Sequence, residues 1–315
     1  MEFKQLHTFL VIASLESFNK AADVLDLAQS TVSDQIGALE NDLNVRLFNR
    51  ERRRISLTTA GEILLNYARN MMDLESELRT EIKGNDKIQG SLSIRIPETM
   101  SIYFLPSVLH EFNRSFPLVD LSCHGCSYFG LAEELRSGVM NLAFLITDSF
   151  RAPDLETMVL RPVPLVLVSG PDHRLAGRGE IEPEDLKLEP VFAPTSDCDY
   201  FKILDRKMME VTVRLRSIFR VGSLEAIKRN LMAGTGVALL TRVSVEKELA
   251  GGQLAELALS GGMMNADMTM IWQKDKWRSP ALHAFMDSII KSMSTSERVN
   301  STEIAEAGFR AANRR

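Results

Sequence analysis

The sequence predicts three consecutive parts: a small α-helical domain of winged helix-turn-helix type, a long linker helix, and an α/β domain of two lobes. Three observations predict this. Over residues 1–58 apolar residues recur at helical spacing in three short segments, then give way to two apolar pieces on either side of an arginine cluster. Over residues 64–82 a single apolar seam repeats every three or four positions. From Gly90 onward, strand-like alternation and amphipathic helical stretches take turns, the pattern of βαβ units. A chain of 315 residues has room for two or three such domains.

In the first part, Leu6, Phe9, Leu10 and Ala13 line one face of a first helix, and Phe18, Ala21, Ala22 and Leu25 one face of a second. Val32, Ile36, Leu39 and Leu43 do the same for a third. Ser17 and Ser30 stand where N-caps are expected, and Asp34 suits the positive end of the third helix. Residues 26–29 form the sharp turn between the second and third helices. Residues 46–58 read as a two-stranded wing, with Leu47-Phe48 and Ile55 to Leu57 flanking a tip that carries Arg50, Arg52, Arg53 and Arg54.

Thr59-Ala60-Gly61-Glu62 fits a capping box opening the long helix. Its apolar positions Leu64, Tyr67, Met71, Leu74, Leu78 and Ile82 form a coiled-coil seam on an otherwise polar surface, which calls for pairing with a second copy. Gly84, Asn85 and Asp86 end the helix. The α/β part is expected to place strands at 92–96, 119–123, 141–146, 163–168, 191–193, 217–221, 236–240, 253–257 and 268–272. Helices are expected at 101–113, 128–137, 199–210, 224–233 and 280–291. The boundaries follow: residues 1–58, a linker at 59–88, and an α/β domain at 89–295. Its first lobe takes about 89–161 and 267–292, its second about 162–266, and a polar tail fills 296–315. Two lobes with two crossings leave a cleft, and ligands of such sheets sit outside the carboxyl ends of the strands.

Composition excludes several classes. No run approaches a membrane span and no basic segment followed by an apolar one opens the chain, so a cytoplasmic protein without a membrane partner is expected. Three cysteines form no secreted disulfide framework. The five histidines are scattered without metal-ligand spacing. No Gly-x-Ser-x-Gly elbow and no phosphate-binding glycine loop is present, so neither an enzyme nor a metal or cofactor site is expected. The net charge is −5, but the arginines between positions 46 and 54 concentrate positive charge in one place.

Residues 17–40 read Ser-Phe-Asn-Lys-Ala-Ala-Asp-Val-Leu-Asp-Leu-Ala-Gln-Ser-Thr-Val-Ser-Asp-Gln-Ile-Gly-Ala-Leu-Glu, followed by Arg-Leu-Phe-Asn-Arg at 46–50 and Leu-Thr-Thr-Ala-Gly-Glu at 57–62. This run resembles, without gaps, the DNA-binding signature of LysR-type transcriptional regulators. Further on, Glu98-Thr99 before Phe104-Leu105-Pro106, Gly138 before Asn141-Leu142-Ala143, and Gly222-Ser223-Leu224-Glu225 before Ala233-Gly234-Thr235-Gly236-Val237 are similar to that family's effector-binding domain. The resemblance spans nearly the whole chain.

It implies that the third helix enters the major groove of double-stranded DNA, with Gln29, Ser30, Thr31, Ser33 and Gln35 toward the bases and Gln29 suited to an adenine. Arg50, Arg52, Arg53 and Arg54 become wing contacts to phosphate or the minor groove. Paired linker helices, joined through Leu64, Tyr67, Met71, Leu74 and Leu78, imply a homodimer, with two dimers forming a tetramer and an interrupted palindrome as target. RNA polymerase is a further implied partner. The effector domain is implied to be periplasmic-binding-protein-like, with a small-molecule effector between the lobes near Thr99, Ser101, Cys126, Ser127, Cys198, Tyr200, Val221 and Ser223. Hydroxyls and helix amino termini there suit a small carboxylate or similar anion. Arg95 stands where relatives often have glycine, and Phe201 where they often have arginine.

A second reading is a thiol-based redox or metal sensor. Cys123-His124-Gly125-Cys126 is a Cys-x-x-Cys sequence, although strand alternation points Cys123 into the core. Cys198 aligns with the reactive cysteine of the family's peroxide sensors, but Lys207 stands at the partner position, leaving Cys126 and Cys198 as the pair that could face each other across the cleft.

Overall fold

The computed structural model describes residues 1–49, 55–83, 88–126, 128, 130–195, 200–274 and 278–293. The chain divides into two compact units, one of residues 1–91 with 136–139, the other of residues 92–135 and 140 onward.

In the first unit, α1 (Phe3–Leu15), α2 (Phe18–Leu25) and α3 (Gln29–Leu43) precede strands β1 (Phe48–Asn49) and β2 (Ser56–Leu57) and the long α4 (Thr59–Lys83). The helical stripes meet in one core: Leu6, Phe9 and Ile12, Ala21 and Ala22, then Val32, Ile36 and Leu39, closed by Leu47, Phe48, Leu64 and Ala68. Ile12 lies outside the expected stripes, and Leu10, Ala13, Phe18, Leu25 and Leu43, which belong to them, are only partly buried. The Phe48 ring lies 5.3 Å from that of Phe9 and 5.6 Å from that of Phe18, so the first wing strand is pinned to the helices by its aromatic side chain. The strands pair antiparallel, Phe48 opposite Leu57 and Asn49 opposite Ser56.

The caps differ in part from expectation. Ser17 caps α2 by accepting from the Lys20 amide at 3.3 Å. At α3, however, Ala28 holds the N-cap position and Ser30 lies inside the first turn. Asp26, left-handed at φ 52°, ends α2 by donating its amide to the last-turn carbonyls, so the chain re-enters a helix sooner than the polar residues imply. For the same reason Asp34 falls beyond the first turn. At α4 the cap is Thr58 rather than Thr59: Thr58 Oγ1 accepts from the Gly61 amide at 3.0 Å and donates to the Arg46 carbonyl at 2.6 Å. Pairing of β2 ends at Leu57, which leaves Thr58 as the first residue able to turn.

The α/β part contains β3 (Gln89–Ile96), α5 (Glu98–Tyr103), α6 (Leu105–Ser115), β4 (Leu118–Gly125), α7 (Leu131–Ser137), β5 (Leu142–Thr147) and β6 (Leu155–Ser169). It continues with β7 (Glu180–Ile181), β8 (Pro190–Pro194), α8 (Phe201–Glu210), β9 (Ser217–Val221), α9 (Leu224–Met232), β10 (Val237–Thr241), α10 (Arg242–Ala250), β11 (Ala255–Leu259) and β12 (Met264–Gln273), and ends in a helix, α11, at 280–293.

Both lobes share one sheet, in the order β4-β3-β5-β12-β6-β10-β8-β9, with β11 added on β6. Parallel pairs lie toward the outside, β3 with β5 and β8 with β10 and β9. In the middle, β12 runs antiparallel to β5 and β6, and β10 antiparallel to β6. The strand expected at 163–168 is therefore only the carboxyl end of the 15-residue β6. Its first half is exposed or half-buried except at Leu155 and is interrupted by Glu156, Thr157 and Arg161, so it lacks the continuous apolar run that marks a buried strand. The register of β6 on β12 shifts between Met268 and Thr269, where the two long strands pass from one lobe to the other. The helix expected at 101–113 is instead two, broken at Phe104, because Pro106 in the first turn of α6 has no amide to continue α5. α10, unexpected from the sequence, buries the adjacent residues Ser244 and Val245 and shows little helical spacing of its apolar positions.

Candidate functional site

The exposed end of α3 is the first candidate surface. Gln29 and Ser30 are exposed and Thr31 and Ser33 half-buried, while Val32, Ile36 and Leu39 on the opposite face are fully buried. Gln29 Nε2 donates to Ser33 Oγ at 3.0 Å, one turn further on, which holds the amide along the helix surface. A base edge that takes both groups of the amide exchanges this weak exposed bond for two. Gln35 differs from the other four. Its Oε1 accepts from Thr8 Oγ1 at 2.5 Å, so its carbonyl end fastens α3 to α1 and is not presented outward. Arg50, Arg52, Arg53 and Arg54 lie outside the described residues.

What holds α3 against the wing is a residue not anticipated from the sequence. Glu40 is 3% exposed, and its Oε1 accepts from the amides of Leu47 at 2.8 Å and Phe48 at 3.5 Å, while Oε2 pairs with Arg46 Nη1 at 2.8 Å. A charged glutamate at the end of an apolar stripe, six residues before an arginine, is the signal that could have found it. Gly61 completes the joint: a Cβ there would lie 2.2 Å from the Leu47 carbonyl oxygen, so only glycine lets α4 cross the wing this closely.

Along α4 the expected seam divides. Leu64, 9% exposed, packs into the core of its own unit, because the first turns of α4 lie on α1; it is corrected from a dimer contact to a core residue. From Tyr67 on, the seam faces outward: Tyr67 is 47% exposed, Leu78 55% and Ile82 75%, with Met71 and Leu74 also exposed. Five large apolar side chains on one helical stripe thus lie uncovered by the described chain.

The third candidate surface is the region just past the carboxyl ends of the α/β strands. Thr99, fully buried, places Oγ1 3.2 Å from Oγ1 of the equally buried Thr241 of the other lobe. Ser101 Oγ donates to the Pro97 carbonyl at 3.2 Å, a bond within its own helix. Ser223 caps α9, accepting from Ala226 N at 3.4 Å, and Val221 is half-buried at the end of β9. Tyr200 is fully buried, as Thr99 is. Ser127 and Cys198 lie outside the described residues. Two residues not named among the expected site residues bridge the lobes here. Glu98 Oε2 accepts from the Leu224 amide at 3.0 Å across the lobes, and Tyr103 donates to the Ser244 carbonyl at 3.2 Å.

Arg95 and Phe201, the two departures from the family pattern, have structural partners. The Arg95 guanidinium forks onto Glu134, at 2.9 and 2.6 Å, and donates to the Gly125 carbonyl at 3.0 Å. The hydrogen bond it donates to Glu134 raises its pKa above the ordinary arginine value. This cation therefore braces the turn before Cys126. Phe201 is buried, with the Arg220 guanidinium 5.8 Å from its ring centre.

The cysteines do not form the pair written in the sequence. Cys123 is an exposed free thiol, whereas Cys126 is buried and disulfide-bonded. The inward placement expected for Cys123 is corrected: β4 is the edge strand of the sheet, and cover is lost over its last four residues. Desolvation pushes the Cys123 thiol pKa up, which lowers its thiolate fraction and its reactivity. Among the described residues, no group of three or more histidine, cysteine or acidic side chains converges on a point where a metal could sit.

Residues 3–62 match the family described as a bacterial regulatory helix-turn-helix protein, lysR family, and residues 85–294 match the LysR substrate binding domain. The chain belongs to the LysR family. A LysR-family chain of this kind is a transcriptional regulator with an effector-binding domain, not an enzyme. YwqM of Bacillus subtilis (strain 168), an uncharacterized HTH-type transcriptional regulator, is 30% identical over 288 residues, covering 91% of this chain and 98% of that protein. YofA, an HTH-type transcriptional regulator of the same organism, is 30% identical over 289 residues, covering 92% of this chain and 98% of that one. Two solved structures share the fold over most of the chain. Full-length CbnR complexed with its target DNA has a TM-score of 0.63 at 24% identity, covering 93% of this chain and all of that one. ArgP from Mycobacterium tuberculosis has a TM-score of 0.67 at 22% identity, covering 92% and 96%.

Proposed function

We propose that this LysR-family regulator is a cytoplasmic protein that binds an interrupted palindrome in duplex DNA as a dimer, or as a tetramer of two dimers, through two copies of α3. A small molecule lodged between the lobes changes the spacing or angle of the two DNA-binding units, and RNA polymerase reads the result. The observation that carries the reading is the two-sided character of α3: Gln29 and Ser30 stand exposed and Thr31 and Ser33 half-buried at its amino end, while Val32, Ile36 and Leu39 are wholly buried. No helix among the described residues is long and apolar enough to cross a membrane.

The test is Gln29→Ala against a duplex selected from a random library and a scrambled duplex of the same length. A lost amide-to-adenine pair removes about 1–3 kcal/mol of discrimination, roughly five- to 150-fold, while binding to the scrambled duplex stays near wild type. Equal losses on both duplexes would show that Gln29 reads no base.

A thiol-sensing reading has one observation in its favour, the disulfide-bonded state of Cys126. It predicts that a mild reductant alters the DNase footprint of the wild type and that Cys126→Ser abolishes the difference. Identical footprints with and without reductant remove it.

A further inference from the structure

Two glutamines of α3 are held by their side chains in opposite senses. Gln29 gives an N–H to Ser33 Oγ at 3.0 Å. Gln35 accepts instead: Oγ1 of Thr8 on α1, a residue 2% exposed, lies 2.5 Å from its Oε1. That separation fixes which end of the amide faces α1. It falls in the range of an O–H···O bond, whereas an N–H···O contact seldom closes below about 2.7 Å. The hydroxyl therefore donates, the amide oxygen accepts, and Nε2 is turned away from Thr8. Gln35 is half-buried, and its Nε2 reaches solvent with no hydrogen-bond partner among the described residues.

The bond is not what holds the two helices together. Leu6, Phe9 and Ile12 of α1 already meet Val32, Ile36 and Leu39 of α3 in the core, and one neutral hydrogen bond adds little to that burial. What it sets is direction. A free glutamine turns its amide and offers donor and acceptor alike, whereas one tied at its oxygen offers N–H outward. An adenine edge needs both groups, so Gln35 so held cannot make that pair. It suits a group that only accepts. Place on the helix narrows the choice. At 3.6 residues per turn, Ser30 and Asp34 lie farthest from the buried stripe, and Gln35 lies with Thr31 on the flank beside α1. A helix that fills the major groove turns its outermost residues to the base edges and its flanks to the phosphate walls.

Resting on the reading of α3 as the helix that enters the groove, we propose that Gln35 holds a backbone phosphate and reads no base. Thr8, which is buried and touches no DNA, is the positioning residue that aims the Gln35 N–H at the phosphate oxygen.

The experiment uses the full chain with a duplex selected from a random library and a scrambled duplex of the same length. Gln35→Ala should weaken both about tenfold, since a phosphate is present whatever the sequence. Gln35→Glu keeps an oxygen for the Thr8 hydroxyl but turns an anion toward the backbone, so it should bind both duplexes more weakly than Gln35→Ala. Thr8→Val, equal in shape, frees the amide to turn and should cost roughly threefold, while Thr8→Ser keeps the hydroxyl and should bind as the wild type does. In the Gln35→Ala background Thr8→Val should cost nothing more, which a loss of helix packing would not produce. Neutral methylphosphonate, placed at one backbone position of the selected duplex at a time, should find a position that weakens the wild type but not Gln35→Ala. A Gln35→Ala loss confined to the selected duplex, or no loss at all, overturns the proposal. A Thr8→Val variant that binds as the wild type does, or whose loss persists in the Gln35→Ala background, removes the role of Thr8. A wild-type protein that ignores every duplex loses instead the reading of α3 beneath the proposal.

Discussion

Exchanging Arg52, Arg53 and Arg54 together for glutamine should weaken binding to every duplex alike, whatever its sequence. Removing three cations that each neutralise a phosphate would flatten the dependence of log affinity on log salt by about 2.7, and at 0.1 M salt would cost roughly 10²–10³-fold in affinity. The expectation rests on charge. The chain as a whole is acidic, at −5, so it has no general attraction for a polyanion, and a local cluster must supply it. Between positions 46 and 54 five arginines meet a single acid, Glu51, and Arg46 among them is already committed to Glu40. Filter-binding titrations over a salt series, on specific and random duplexes, would measure both slopes. A parallel drop in the two slopes supports a phosphate-gripping wing. A drop confined to the selected duplex would mean that these arginines read bases, and an unchanged slope that they do not touch the duplex.

The helical half of this fold is legible in the sequence because its signal is local. Leu6 and Phe9, or Val32, Ile36 and Leu39, repeat at one helical period and bury on one side as expected, while Leu10 and Ala13 sit at the edge of the stripe and Ile12 at its centre. Strands such as β5, buried at every position, are equally plain from their continuous apolar run. Legibility fails where a long-range partner decides the outcome. Nothing near Leu64 in sequence distinguishes it from Tyr67 or Leu78; the packing of α4 on α1 does, and it turns one seam residue inward. The amino half of β6 has no strand-like alternation and owes its conformation to β12, whose residues lie about a hundred positions away. The cleft behaves likewise. Thr99 is readable as a cleft residue, but its pairing with Thr241 and the reach of Glu98 to Leu224 join positions more than 120 residues apart, and no spacing rule encodes them.

Removing the Glu40 carboxylate should strongly destabilise the joint between α3 and the wing in the DNA-binding unit. Glu40→Ala leaves the buried amides of Leu47 and Phe48 without their acceptor and frees Arg46 from its pair. A buried donor left unsatisfied costs about 1–3 kcal/mol, so losing two together is expected to cost roughly 3 kcal/mol or more, a large share of the stability of so small a unit. Glu40→Gln retains one acceptor oxygen for the amides and gives up only the charge, so its loss should be less than half as great. The two variants separate hydrogen bonding from charge. Amide hydrogen exchange at Leu47 and Phe48, with urea unfolding of the full chain, reads the result. Because these amides fix where the wing leaves α3, the alanine variant should also lose wing-dependent affinity before it unfolds, seen as a shallower salt slope at low urea. If exchange at both amides stays at the wild-type rate in Glu40→Ala, the carboxylate does not hold the wing, and the register of β1 against α3 must come from the Phe48 ring packed between Phe9 and Phe18.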